Sequence, residues 1–168
     1  ENDASANAAD NGLVEISGNQ IKVKSGAVID YETNPILNLN IKVTDAGGLS
    51  FIKAFTLNVT NVNEAPSAIS LSANTVVENV VTTNPVKIGD LTVTDPDASG
   101  NNNVLTLSGA DASKFEITGG ALYLKAGQSV DYETQTSYAV TVTSTDGALT
   151  KSQNFTINVT NLGENGVN

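Results

Sequence analysis

Acidic side chains are the residues of this sequence whose types and spacing could do chemistry. Of the 18 Asp and Glu residues, 11 fall in short motifs near the ends of predicted strands. Several form Asp-x-Asp or Asp-x-Glu pairs, which on an extended segment point to one side about 6–7 Å apart. The 11 residues are Asp30, Glu32, Asp45, Glu64, Glu78, Asp95, Asp97, Asp131, Glu133, Asp146 and Glu164.

Carboxylates that converge in this way repel one another unless a cation lies between them. Two charges about 4 Å apart cost about 4 kcal/mol at an effective dielectric of roughly 20, and a divalent cation removes that cost. With oxygen ligands in flexible loops, Ca²⁺ is the best match and Mg²⁺ the weaker one. The alternative is that these acids are solvated turn residues, because Asp and Asn favour turns without any ligand.

Catalysis by these acids is a third interpretation, and the sequence disfavours it. A glycoside hydrolase pair would need a defined separation and a substrate cleft, and no insertion is present that would build one. The chain has no His and no Cys, so nucleophilic sites based on those residues cannot form. Zinc and copper sites, which use imidazole or thiolate, are disfavoured for the same reason. We therefore expect no enzyme activity.

The charge balance limits the partners of the chain. Eight Lys, no Arg and 18 acidic residues give a net charge of −10. Nucleic-acid binding depends on Lys and Arg, and so does attraction to an anionic membrane surface. No run of 18 apolar residues occurs. We expect neither a nucleic-acid partner nor membrane insertion.

An internal repeat of about 100 residues organises the chain. The tetrapeptide Asp-Tyr-Glu-Thr occurs at 30–33 and again at 131–134, an offset of 101 residues. After a one-residue deletion, FTLNVTNVNE from Phe55 matches FTINVTNLGE from Phe155. Two landmarks in register favour tandem copies of one module.

Apolar and polar residues alternate within each copy, which is typical of strands with one buried face. Leu37, Leu39 and Ile41 show the alternation in the first copy, and no segment shows a helical period. Short strands separated by Gly, Asn, Asp and Pro favour an all-β sandwich. In the second copy the predicted strands lie near 69–72, 75–78, 86–94, 104–108, 121–125, 138–145 and 153–160.

These strands predict a partial repeat over 1–64, a complete one over 65–164 and a tail over 165–168. The first copy begins where the second has Asn102, so about 37 residues carrying the first two strands have no counterpart. We expect such a half sandwich to expose apolar residues. Either the chain is a fragment cut from a longer one that carries the missing strands, or another molecule supplies these strands by swapping.

Taken in order, the motifs resemble the cadherin repeat in its bacterial style. They are Val-Glu-Asn at 77–79, Asp-x-Asp at 95–97, Val-Asp-Tyr-Glu at 130–133, Thr-Asp-Gly at 145–147 and Asn-Val-Asn-Glu-Ala-Pro at 61–66. The resemblance covers 65–164 and the later part of 1–64. It implies seven-strand, Greek-key, immunoglobulin-like β-sandwich repeats, joined end to end, with calcium at each junction.

The resemblance also implies two sets of calcium ligands. One set, at the junction of the two copies, would comprise Asp30, Glu32, Val62, Asn63, Glu64, Ala65, Asp95, Asp97, Asn101 and Asp146, with Val62, Ala65 and Asn101 acting through carbonyls. The other set, facing a further repeat, would comprise Glu78, Asp131, Glu133 and Glu164. The first copy lacks a counterpart of Glu78, and Glu64 replaces the usual linker Asp. We therefore expect fewer or weaker ions than in an intact pair.

The function implied by this resemblance is that of an extracellular or cell-surface adhesin module. It would act in calcium-dependent adhesion or as a calcium-rigidified spacer between neighbouring repeats. The alternative is a binding module for polysaccharide or for another copy of itself. Glycosylation patterns begin at Asn58, Asn154 and Asn158, but Asn and Thr are expected on the polar face of a last strand regardless.

Overall fold

The computed structural model describes residues 9–80, 82–97 and 102–163. Within those residues the chain forms twelve β-strands and no α-helix, so the all-β prediction is confirmed. It divides into two compact units, Glu1–Asn63 and Glu64–Asn168, called here the first and second units. The first unit contains β1 (Val14–Ser17), β2 (Gln20–Val23), β3 (Ile36–Thr44) and β4 (Ser50–Asn58). The second contains β5 (Ala68–Leu71), β6 (Thr75–Val77), β7 (Val86–Thr94), β8 (Val104–Ser108), β9 (Phe115–Thr118), β10 (Ala121–Leu124), β11 (Ser137–Thr145) and β12 (Thr150–Thr160).

The second unit is a sandwich of two four-stranded sheets, ordered β5-β7-β10-β9 and β6-β12-β11-β8. The segments β5 and β6 belong to different sheets: β5 pairs antiparallel with β7, whereas β6 pairs parallel with β12. The first strand of the sandwich is therefore split and changes sheet halfway. Counted in this way, the eight segments make the seven-strand immunoglobulin-like sandwich that the sequence predicted.

One strand of this sandwich was missing from the sequence-based prediction. The segment β9 is four residues long and pairs with β10 through a hairpin at Gly119 and Gly120, both of which have positive φ. Only Phe115 and Ile117 carry its alternation, which is too short a pattern to identify a strand. The predicted strands 69–72 and 75–78, taken as two, are the halves of the split first strand.

A continuous apolar core joins the two sheets and holds the loops at both ends of the sandwich. The rings of Phe115 and Tyr138 meet edge to face, with centroids 5.9 Å apart. Burying one such side chain contributes about 1.5–3 kcal/mol. The buried core residues are Ile69, Val76, Ile88, Leu91, Phe115, Leu122, Leu124, Val130, Tyr138, Val140, Val142, Ile157 and Val159.

The first unit consists of two antiparallel hairpins, β1-β2 and β3-β4, which match β9 to β12 of the second unit. Val14, Leu37 and Leu39 are buried, but other apolar residues of this unit are far more exposed than their counterparts. The side chain of Val23 is 53% exposed and that of Leu57 is 42% exposed, whereas their counterparts Leu124 and Ile157 are both fully buried. In the second unit, β5 to β8 complete the sandwich around these positions.

Candidate calcium sites

Three carboxylates converge at one end of the second unit. Glu78 follows β6, while Asp131 and Glu133 lie in the turn before β11. Each offers one oxygen, and these three oxygens all lie within 4.8 Å of one another. Glu78 is 1% exposed, whereas the other two carboxylates face solvent. This cluster, called here the Glu78 cluster, has the donor atoms and the spacing of a hard-cation site.

Backbone N–H groups hold both oxygens of the buried Glu78 carboxylate. Its Oε1 accepts a hydrogen bond from the N–H of Leu162 at 2.6 Å, and its Oε2 accepts one from the N–H of Tyr132 at 3.0 Å. These two donors stabilise the charged form, so they hold the pKa of Glu78 below its ordinary value despite the burial. The cluster therefore contains a carboxylate that is fixed in place and ionised at neutral pH.

Asp131 caps the turn that carries Glu133. Its Oδ1 accepts hydrogen bonds from the N–H groups of Glu133 at 2.9 Å and Thr134 at 3.3 Å, and its Oδ2 accepts one from the Thr134 hydroxyl at 2.7 Å. The Thr134 hydroxyl, followed by these N–H groups, lowers the pKa of Asp131. The expectation that this Asp-x-Glu pair lies on an extended segment is wrong, because 131–134 form a turn.

Glu133 is the carboxylate that its surroundings disfavour in the charged form. The hydrogen bond with its own backbone N–H lowers the pKa of Glu133, but desolvation and the nearby Glu78 and Asp131 charges outweigh that effect. The net result is a raised pKa. The side chain is also held by Asn161, whose Nδ2 donates to Glu133 Oε1 at 3.1 Å. Glu133 thus carries the electrostatic strain that a bound cation would relieve.

The same capped turn occurs in the first unit. Asp30 Oδ1 accepts hydrogen bonds from the N–H groups of Glu32 at 2.9 Å and Thr33 at 3.3 Å. Here too the Asp-x-Glu pair lies in a turn rather than on an extended segment, which corrects the expected geometry. Turn capping, the alternative interpretation of these aspartates, therefore describes the local structure of both copies, and it orients the carboxylates at the same time.

Asp146 and Asp45 end the long strands β11 and β3 and cap the hairpins that follow. Asp146 Oδ1 accepts hydrogen bonds from Ala148 at 2.8 Å and Leu149 at 2.7 Å. Asp45 caps the equivalent hairpin of the first unit. These contacts give both residues a structural role that is independent of any ion.

A second acidic group of the second unit lies after β7. Asp97 is 8% exposed, and its Oδ2 accepts a hydrogen bond from the N–H of Glu64 at 2.7 Å. The N–H of Asp97 in turn donates to Asp95 Oδ1 at 3.1 Å. The start of the second unit is thereby attached to the loop after β7. This arrangement is called here the Asp95 group, comprising Glu64, Asp95 and Asp97.

Five further predicted ligands belong to neither the Glu78 cluster nor the Asp95 group. Val62, Asn63 and Ala65 lie in the exposed, non-strand stretch between β4 and β5. Asn101 and Glu164 lie outside the described residues. The ligand roles of these five residues stay predictions.

Two aspartates that the motif analysis passed over have matching structural roles. Asp10 accepts hydrogen bonds from the Asn34 side chain and from the N–H of Asn38, both at 2.7 Å. Asp111, which lies 101 residues later, accepts one from the N–H of Ala139 at 2.7 Å. Each ties the turn before a short hairpin to the long strand of its unit. Their recurrence at the repeat offset is the sequence signal that could have identified them.

The fold and its acidic ends define a class, the immunoglobulin-like sandwich module with carboxylates gathered beyond its strands. The model of the cadherin domain family matches residues 75–160, just over half of the chain. The chain therefore belongs to the cadherin domain family. The match covers a single domain, so the tandem arrangement stays a prediction.

Curated relatives carry the same family name and are much longer. Human cadherin-related family member 2 is 27% identical over 154 residues, which cover 87% of this chain and 12% of that protein. Human protocadherin Fat 4 is 28% identical over 155 residues, covering 81% of this chain and 3% of that protein. The chain thus spans about a tenth or less of the length of these relatives.

Solved structures of protocadherins share the fold. The structure described as "Protocadherin gammaB7 EC3-6 cis-dimer structure" matches with a TM-score of 0.62 at 22% identity, covering 95% of this chain and 39% of that one. "Protocadherin Gamma B2 extracellular cadherin domains 3-6" matches with a TM-score of 0.66 at 18% identity, covering 89% and 36%. At this level of identity the likeness shows the fold alone.

These comparisons bear on two expectations from the sequence, the bacterial style of the repeat and the polysaccharide-binding alternative. The curated relatives reported above are human proteins, so the bacterial style of the repeat finds no support in them. The polysaccharide-binding alternative finds no support in these relatives either.

Across the residues that the structure describes, no helix has the length and apolar character needed to cross a membrane.

Proposed function

We propose that this chain is a calcium-binding cadherin module of an extracellular or cell-surface protein. It acts in calcium-dependent adhesion, or as a spacer that calcium stiffens between neighbouring repeats. The observation that carries the proposal is the Glu78 cluster, in which three carboxylate oxygens lie within 4.8 Å of one another.

The electrostatics of the Glu78 cluster favour a divalent cation over an empty site. Hydrogen bonds hold Glu78 and Asp131 in the charged form, so neither of them relieves the repulsion by taking up a proton. The repulsion instead disfavours the charged form of Glu133, whose pKa is raised. A cation at this position would offset the repulsion that raises the pKa of Glu133.

Calcium suits this cluster better than magnesium. The three carboxylates come from two separate loops, and their orientation is set by backbone N–H groups rather than by an octahedral arrangement. Ca²⁺ accepts irregular coordination by six to eight oxygens, whereas Mg²⁺ requires near-ideal geometry and keeps its waters. The other oxygens would come from the predicted ligand Glu164, from water and from a following repeat.

The Asp95 group is the proposed second site, which a preceding repeat would complete. Its partners would be Asp146 and Asn101 of the second unit and, from the first copy and the linker, Asp30, Glu32, Val62, Asn63 and Ala65. Extracellular calcium modules typically bind with dissociation constants of about 10⁻⁴–10⁻³ M. At ten times the dissociation constant, each ion would add about 1.4 kcal/mol to the stability of the folded state.

Calorimetric titration of the whole chain with CaCl₂ tests this function. We expect saturable binding by the wild-type chain and loss of one binding step in Glu133→Gln, with Mg²⁺ binding more weakly. The matched control is Glu116→Gln on β9, which removes the same charge outside both acidic groups. A wild-type chain that binds no Ca²⁺ at millimolar concentration would contradict the proposal.

Homophilic binding is the second candidate function. It is favoured by one observation, that a protocadherin of the same fold has been solved as a cis-dimer. Sedimentation velocity of the chain at rising concentration, with Ca²⁺ and with EDTA, separates it from the spacer function. Association that requires Ca²⁺ supports homophilic binding, whereas a monomer under both conditions supports the spacer.

A further inference from the structure

Asn103 connects the Asp95 carboxylate to a buried hydroxyl on β11. Its Nδ2 donates a hydrogen bond to Asp95 Oδ2 at 2.9 Å, and its Oδ1 accepts one from Ser144 Oγ at 2.9 Å. The three residues come from three segments of the second unit: the loop after β7, the residue before β8, and β11 itself. We propose that Asn103 and Ser144 are positioning residues that orient Asp95 as a cation ligand. This inference rests on the proposed calcium function.

Asp95 and the buried Ser144 together fix the orientation of the Asn103 amide. Ser144 is 0% exposed, and a buried hydroxyl is costly unless it forms a hydrogen bond. A carboxylate only accepts hydrogen bonds, so the NH₂ end of the amide faces Asp95. The carbonyl end then faces β11, where it accepts the hydrogen bond that satisfies the Ser144 hydroxyl.

The two hydrogen bonds to Asp95 orient its carboxylate without cancelling its charge. Oδ2 accepts from the Asn103 amide and Oδ1 accepts from the N–H of Asp97, and both of these donors are neutral. Asp95 is thus held in the manner of a metal ligand, for which outer hydrogen bonds set the orientation.

The internal repeat shows that the Ser144 hydroxyl is specific to the second copy. The residue at the equivalent position of the first copy, 101 residues earlier, is Val43. Val43 is 63% exposed, whereas Ser144 is fully buried. In the second copy, the Asn103 side chain connects the Ser144 hydroxyl to the candidate ligand Asp95.

The test measures Ca²⁺ affinity in the Glu133→Gln background, where the Asp95 group is the remaining proposed site. Adding Ser144→Ala or the partly exposed Asn103→Ala should weaken Ca²⁺ binding by about 10–100-fold, the usual effect of removing an outer hydrogen bond. In a background that also carries Asp95→Asn, neither change should weaken binding further, because both act through Asp95.

The outcomes separate this inference from the proposed function. Unchanged affinity in Ser144→Ala and Asn103→Ala would overturn the inference, as would an equal loss in the presence and absence of Asp95→Asn. No Ca²⁺ binding in the Glu133→Gln background would contradict the Asp95 site and the inference together. Failure of the wild-type chain to bind would contradict the proposed function itself. Far-ultraviolet circular dichroism of each variant confirms that the sandwich is folded.

Discussion

Glu78 and Leu162 are 84 residues apart, yet the N–H of Leu162 donates a 2.6 Å hydrogen bond to Glu78 Oε1. The same carboxylate accepts from the N–H of Tyr132, so one buried side chain connects three loops at one end of the sandwich. Both donors are backbone groups of the protein itself. Glu78 therefore has two roles that mutation can separate, a structural one in the absence of Ca²⁺ and a proposed ligand role in its presence.

The structural role predicts that Glu78→Gln destabilises the second unit even in EDTA. Glutamine retains only one acceptor oxygen, so one of the two part-buried hydrogen bonds is lost and an NH₂ donor faces an N–H donor. We expect the midpoint of thermal unfolding to fall by roughly 5 °C or more. Circular dichroism melts in EDTA measure this midpoint, with Glu116→Gln as the control. An unchanged midpoint would contradict the structural role of Glu78.

Glu133→Gln is predicted to act in opposite directions with and without calcium. Glu133 carries a raised pKa because desolvation and the Glu78 and Asp131 charges disfavour its ionised form. Neutralising it should raise the unfolding midpoint in EDTA and reduce the further increase caused by Ca²⁺. Paired melts at neutral pH measure both effects. A midpoint lowered equally under the two conditions would show that Glu133 is merely structural.

The fold could be predicted from the sequence because its strongest signals are long. The strands β7, β11 and β12 are each nine residues long or longer, and the alternation along part of each follows from one buried face. The segment β9 could not be identified, because four residues carry too little pattern. The change of sheet between β5 and β6 depends on tertiary pairing, which no local pattern records.

The candidate sites could be predicted only as far as residue types go. The motifs identified Glu78, Asp131 and Glu133, which the fold brings together. The predicted geometry of the Asp131–Glu133 pair was wrong. Backbone N–H groups donate hydrogen bonds to Asp131 and close a turn where an extended segment was expected. The contact of Asn103 with Ser144 lies beyond sequence analysis, since it joins two residues 41 positions apart with no motif.

The pH dependence of the metal-free chain should show two opposing effects. Glu78 and Asp131 have lowered pKa values, so their contribution to stability is complete above their ordinary values and is lost as the pH falls through the lowered ones. Glu133 has a raised pKa, so its unfavourable charge is relieved as the pH falls towards 4.5, its ordinary value. Stability should therefore rise slightly before it declines.

A series of melts between pH 7 and pH 3 in metal-free buffer measures this profile. The rise should disappear in Glu133→Gln, while the decline below about pH 4 should remain. Asp90, which is paired with Lys87 away from both acidic groups, gives the control variant Asp90→Asn. A rise that persists in Glu133→Gln would assign it to another group.

The exposed apolar residues of the first unit should become buried when strands of the β5 to β8 type are supplied. Val23 and Leu57 are half exposed, whereas their counterparts Leu124 and Ile157 are fully buried beneath such strands. A copy of residues 65–109 placed directly before residue 9 keeps the repeat offset. We expect this chimera to bind less 8-anilinonaphthalene-1-sulfonate and to unfold at a higher midpoint, because apolar area leaves water. In the matched control, the copies of Ile69, Ile88 and Leu91 are changed to Ser. Equal dye binding by the chimera and its control would show that the first unit does not accept strands of this kind.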